Sequence, residues 1–297
     1  MNRNLTLRNL DPGFHAERMA FPAKIIYGTA WKMERTTDLV VSAVLNGFKA
    51  IDTACQPKHY REDLVGNALQ VLKEVHGIER DQLFIQTKFT SIDGQDRSKP
   101  LPYNPAATIP EQVRTSFEKS LANLRTAYVD SYLLHSPLRT VRQTLEAWKV
   151  LIKLQDEGKV RMIGVSNTYD VGILRTLGQE RQVQVVQNRW YEGNAWDQDV
   201  VRYCKTNGVM YQSFWTLTGS PSLLSHPSIL ALSAASAMTP AQVLYGIVQK
   251  GGILPLSGTT SEIHMKEDVA VESSDLVSDD KLRSHVDVIK RLVGLEL

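Results

Sequence analysis

The chain reads as a single-domain α/β protein, a (β/α)8 TIM barrel. Two observations point there. Eight short apolar runs, at 24–27, 49–52, 83–88, 131–135, 162–166, 183–188, 209–214 and 252–255, alternate with longer stretches of helical period. Neither a GxGxxG nor a GxxxxGK[ST] follows the first run, which counts against an open doubly wound sheet built around a phosphate loop. The 297 residues suit one decorated barrel, since barrels of this class often run to about 250 residues.

Taken in order, residues 1–23 are polar and irregular and read as an arm outside the barrel, which takes 24–297. Each apolar run is brief and nearly continuous, as expected of strands buried on both faces of a parallel sheet. Residues 36–47 place Leu39, Val40, Ala43 and Val44 on one helical face. Residues 110–126 do the same with Val113, Phe117, Leu121 and Leu124, with Pro110 suited to a first turn. Residues 141–157 align Leu145, Trp148, Leu151 and Ile152 and stop near Gly158, which suits a helix end. A Pro-rich loop at 91–109 follows the third run and reads as a lid, and a final helix over 278–293 lies outside the barrel.

Charge and composition exclude several functions. The 34 basic and 32 acidic residues leave a net charge of +2, so nothing global attracts a nucleic acid. No stretch reaches the length of a membrane span. Two cysteines, Cys55 and Cys204, make no disulfide framework and fit a reducing, cytoplasmic compartment. No metal-ligand spacing stands out, and a monomer or weak oligomer is expected.

Barrel sites are built where strands end. Just past the runs stand Gly28-Thr29-Ala30-Trp31, Asp52, Lys88, His135-Ser136, Ser166-Asn167, Gln187, Phe214-Trp215 and Ser257-Gly258-Thr259. Polar or ionisable groups thus gather on one rim. Any one of them has a structural explanation; their shared placement argues for a site.

In this setting GTAWK (28–32), IDTA (51–54), YREDLVGNAL (60–69), QTK (86–88), DSYLLHSP (130–137), GVSN (164–167), VVQN (185–188) and LPLSGTT (254–260) are similar to motifs of the aldo-keto reductase family, in family order from 24 to about 268. The resemblance implies an NAD(P)H-dependent oxidoreductase that converts an aldehyde or ketone and an alcohol. It implies a catalytic tetrad of Asp52, Tyr60, Lys88 and His135. Tyr60 would give the proton, Lys88 would lower the phenol pKa, Asp52 would hold Lys88, and His135 would orient the carbonyl. Nicotinamide binding would fall to Gly28, Thr29, Ala30, Ser166, Asn167, Gln187, Phe214, Trp215, Leu217, Ser257, Gly258 and Thr259, with phosphates beside loops 216–220 and 257–260. Trp31, His59, Phe89 and Ser136 would wall the substrate pocket, Ser136 leaving room for a bulky substrate.

Two departures from the family pattern bear on this. Tyr60 stands eight residues beyond Asp52 rather than about five, and ungapped alignment back from Val65-Gly66 puts His59 at the acid position. Leu256 and Glu262 occupy places where NADPH-using relatives carry Lys and Arg, although Lys266 is near. NADP(H) is therefore favoured only by family habit, and NAD(H) stays open. Two other readings are a dinucleotide-binding regulatory protein with little turnover, and a specialised-metabolism reductase acting on a bulky or conjugated carbonyl.

Overall fold

The computed structural model describes residues 23–271 and 280–295, so the N-terminal arm to residue 22 lies outside the described residues. Eight parallel strands close into a barrel in chain order. They are β1 (Ile26–Gly28), β2 (Ala50–Asp52), β3 (Phe84–Phe89), β4 (Val129–Leu134), β5 (Val160–Ser166), β6 (Val185–Arg189), β7 (Met210–Phe214) and β8 (Ile253–Ser257). The connecting helices are α1 (Thr36–Leu45), α2 (Glu62–His76), α3 (Ile109–Leu124), α4 (Val141–Asp156), α5 (Val171–Glu180) and α6 (Gln198–Asn207). Three helices, α7 (Pro221–Leu224), α8 (Pro227–Ser236) and α9 (Pro240–Lys250), lie between β7 and β8; α10 (Glu262–Ala270) and α11 (Asp280–Leu292) follow. Among the described residues, no single helix is long and apolar enough to cross a membrane.

Local chemistry explains the elements. Thr108 caps α3 by a reciprocal bond with Glu111, and Pro110 occupies its first turn. The apolar faces of α1, α3 and α4 bury Leu39, Val40, Val113, Phe117, Trp148 and Leu151 against the strands. After α4, Gly158 takes φ +72, a left-handed value that a side chain would resist. Two strands begin earlier than the apolar runs: β4 starts at Val129 and β5 at Val160. The extra residues carry charge. Asp130 is buried and accepts hydrogen bonds from Arg80, Arg161 and the Ile85 amide, so a polar group enters the sheet fully paired.

Register fixes which side chains face the axis. Ala50 lies opposite Phe84, Asp52 opposite Gln86, Ser166 opposite Gln187, and Arg189 opposite Phe214. Ile26, Ala50, Phe84 and Leu254 plug the bottom of the barrel with apolar side chains. Above them the inward residues become polar. The large core lies outside the barrel, between strands and helices.

The 91–109 loop is built rather than loose. It contains a short 3-10 turn, Ile92–Gly94. Gln95 donates to Cys55 O and Thr90 O, Gln56 to Gly94 O, and Tyr103 to Thr90 O. It is thereby tied to the loop after β2, and Asp93 pairs with Arg139 beyond β4.

Candidate active site

Asp52 ends β2 and Lys88 lies near the end of β3; both side chains are almost fully buried. Lys88 Nζ stands 2.7 Å from Asp52 Oδ1, 2.6 Å from Oδ2 and 2.8 Å from Thr53 O. An ammonium has three donors, and all three are used. Burial pushes the Lys88 pKa down, and the Asp52 charge opposes that.

The loop from Thr53 carries Tyr60 over this pair. Lys88 Nζ is 5.3 Å from the Tyr60 ring centre, and the ring meets His135 edge-on at 5.8 Å. Glu62, two residues on, anchors the loop: its buried carboxyl accepts from the Thr87 hydroxyl and from Asn123 at 2.9 Å. Burial raises the Glu62 pKa. His59 goes elsewhere. Its ring stacks on Trp31 at 3.8 Å, and its carbonyl accepts from the Trp31 amide. The structure thus brings Tyr60, and not His59, beside Lys88 and His135. One expectation changes sign. The Tyr60 pKa is raised, by burial and then by Asp52, instead of lowered by Lys88. The cation is neutralised where it stands, so little of its field reaches the phenol.

His135 follows β4. Its Nδ1 lies 2.7 Å from Thr90 Oγ1, which leaves Nε2 for a ligand. Burial, then the charges of Lys88 and His59, lower its pKa to about 3, so the imidazole is neutral. Asn167 Nδ2 donates to His135 O, tying the ends of β4 and β5 together.

The residues expected at a nicotinamide are mostly gathered. Ser166 Oγ donates to Gln187 O, and Asn167, at φ +49, lies beside it. Gln187 Nε2 donates to Asp52 Oδ1 and Gln212 Oε1, while its own Oε1 accepts nothing from the described residues. That unused acceptor fits an amide N–H group of a carboxamide. Phe214 faces inward on the neighbouring strand and Trp215 beyond it is half exposed; Leu217 packs against the core below the rim. On the opposite side Gly28 and Ala30 flank the buried Thr29, which donates to Asp52 O. Ser257 donates to the buried Asp268, whose pKa burial raises to about 6, and Thr259 O accepts from Tyr27. Among the substrate-pocket residues, Trp31 is 65% exposed at the rim and Ser136 is half-buried next to His135. Phe89 does not join them. It falls one residue after the inward Lys88, faces the helices, and packs against Tyr103 at 5.6 Å. Strand alternation was the signal that excludes it from the pocket.

Other groups at the site escaped the sequence reading. Gln86 and Gln212 exchange amide hydrogen bonds, and Gln86 also donates to Asp52 Oδ1 at 2.8 Å. Asp52 Oδ1 therefore sits in a net of three glutamines from β3, β6 and β7. Buried Lys32 reaches across from the β1 loop to Gly258 O, placing a cation beside the β8 loop. Arg189 stands at the rim among aromatic rings. Each lies an even number of positions from a recognised inward residue or inside a recognised motif, which is a usable signal.

A profile of the aldo/keto reductase family matches residues 24–226, more than half the sequence. The chain belongs to the aldo/keto reductase family. As an aldo/keto reductase it is similar to the uncharacterized oxidoreductase YtbE of Bacillus subtilis, at 29% identity over 82% of this chain and 80% of that one. The glyoxal reductase of the same organism is 27% identical over the same shares. An aldo/keto reductase structure from Brucella melitensis superposes with a TM-score of 0.73 at 25% identity, covering 91% of this chain and 94% of its own. Aldo/keto reductases are oxidoreductases that act on small carbonyl compounds with NAD(P)H.

Proposed function

We propose that this aldo/keto reductase reduces an aldehyde or ketone to an alcohol, with Tyr60 as the proton donor. The observation that carries the reading is the placement of the Tyr60 ring between Lys88 and His135, above the Asp52 pair. The nicotinamide supplies a hydride when bound. The chain's own part is to hold the carbonyl and deliver a proton. With Thr90 donating to Nδ1, His135 Nε2–H donates to the carbonyl oxygen and fixes its direction. As negative charge grows on that oxygen, the Tyr60 hydroxyl gives up its proton to it. A raised phenol pKa keeps Tyr60 protonated before the step. Gln187, Asn167 and Ser166 suit the carboxamide, and Phe214 the ring beside it.

The cofactor we take is NADP(H), with NAD(H) as the alternative that local charge allows. Glu262 begins α10 and accepts from Ser42, and Leu256 is apolar, so neither meets a 2′-phosphate with positive charge. The similarity to a glyoxal reductase supports an aldehyde substrate. Exposed Trp31 and half-exposed Trp215, together with Ser136, favour a bulky or conjugated carbonyl as a second reading.

Turnover of an aromatic aldehyde, followed at the nicotinamide absorbance with NADPH and with NADH, tests the proposal. Binding of a dinucleotide without turnover would leave a binding protein instead.

A further inference from the structure

Arg189 closes β6 two residues after Gln187, so it faces the barrel mouth one step above the carboxamide acceptor. Its guanidinium lies 3.9 Å from the Trp215 ring centre, 5.7 Å from Phe214 and 5.9 Å from Tyr191. Among the described residues it has no carboxylate partner. Other partly buried arginines do: Arg80 pairs with Asp130 and Arg181 with Asp156. Arg189 Nε is buried and makes no hydrogen bond. A buried donor left unmade is costly, so such a group calls for a partner, and a bound ligand is one that supplies it.

Aromatic side chains surround the guanidinium. Trp215 adopts φ +64, and a Cβ at Gly219 would come within 2.5 Å of Tyr191 Cβ and 2.9 Å of Trp215 O. The loop after β7 is therefore packed closely at Tyr191 Cβ and the Trp215 backbone, and the guanidinium carbon lies over the Trp215 indole. A planar fork stacked on indole presents its edge to two oxygens of a carboxylate or phosphate. The chain carries a net charge of only +2, so an anion at the mouth depends on local cations.

We propose that Arg189 is an anion-recognition residue at the mouth of the barrel, receiving an anionic oxygen pair of the bound ligand. The inference rests on the reductase reading above. Two sources share the chemistry: the pyrophosphate of the dinucleotide and a carboxylate on the substrate.

Isothermal titration of NADH and NADPH into the wild type, Arg189→Lys and Arg189→Met separates them. If the pyrophosphate is the ligand, both dinucleotides bind about tenfold to a hundredfold more weakly to Arg189→Met, and Arg189→Lys lies between. If a substrate carboxylate is the ligand, dinucleotide affinity holds. The KM for 4-carboxybenzaldehyde then rises about tenfold or more, and that for benzaldehyde does not. Unchanged dinucleotide affinity together with an unchanged KM pair, in both variants, overturns the proposal. Arg189→Lys keeps the charge and the stem, so it decides the matter should Arg189→Met fail to fold. Should the wild type bind neither dinucleotide, the reductase reading fails by itself. Inorganic pyrophosphate and benzoate titrated into the wild type and Arg189→Lys then judge Arg189. Weaker binding to the variant supports it; equal binding, or none to either, overturns it.

Discussion

Lys88 gives all three of its N–H donors to Asp52 and Thr53, and both charged side chains are nearly inaccessible to solvent. The pair is therefore the floor of the site and part of its core at once. Removing one partner leaves the other charge buried and alone. Asp52→Asn should lower stability by about 3–5 kcal/mol, read as a fall in the urea midpoint at constant slope. A change below about 1 kcal/mol would mean that water reaches Lys88.

Tyr60 and His59 are adjacent in sequence and part company in space. Tyr60→Phe should cut turnover by about 10²–10⁴-fold with little change in dinucleotide affinity. His59→Ala should leave most of kcat, because His59 stacks on Trp31 at the rim. Steady-state kinetics on both variants decides the acid. The opposite pattern would hand the role to His59.

His135 carries a pH prediction. Its folded pKa is about 3, below the unfolded value of about 6.5. Between those values the unfolded chain binds more protons, so stability rises with pH there and is lost on acidification below about 6.5. Asp197 and Asp268, each raised to about 6, act with the opposite sign. Their effect is common to wild type and variant. The urea midpoint should therefore fall more between pH 7 and pH 5 in wild type than in His135→Gln. Equal falls would place a charged imidazole in the native site.

Glu262 sets a test of cofactor choice. On the proposed reading, a carboxylate at the start of α10 would repel a 2′-phosphate bound there without harming a free hydroxyl. Glu262→Arg should strengthen NADPH binding relative to NADH by about tenfold, one charge reversal near an exposed site being worth roughly 1 kcal/mol or a little more. Titration calorimetry at low salt measures the ratio, and an unchanged ratio would place the 2′-phosphate elsewhere.

Gly164 faces the barrel interior on β5, where a Cβ would meet Val185 O at 2.2 Å and Leu133 Cδ2 at 2.8 Å. Backbone cannot step aside cheaply. Gly164→Ala should cost at least about 1–3 kcal/mol and disturb the neighbouring Ser166 and Asn167. A thermal melt together with dinucleotide affinity reports both effects.

By itself the sequence determined the eight-strand barrel, the rim on which polar groups gather, and the family. The reason is local. Short runs buried on both faces must be nearly all apolar, and a polar residue at their end stands out, as Asp52, Lys88 and His135 do. Two strands begin before their apolar runs, at Val129 and Val160, because Asp130 and Arg161 find their partners only in the tertiary structure. Which of two adjacent residues faces the Lys88 pair was also beyond the sequence. The three extra residues before Tyr60 could bulge either way. What decided it was the anchoring of Glu62 on β3 and α3 and the tie of the 91–109 loop to Cys55 and Gln56. The sign of the Tyr60 shift likewise depends on where Lys88 spends its donors. Contacts between residues distant in the chain set fields and orientations, and spacing along the chain carries no record of them.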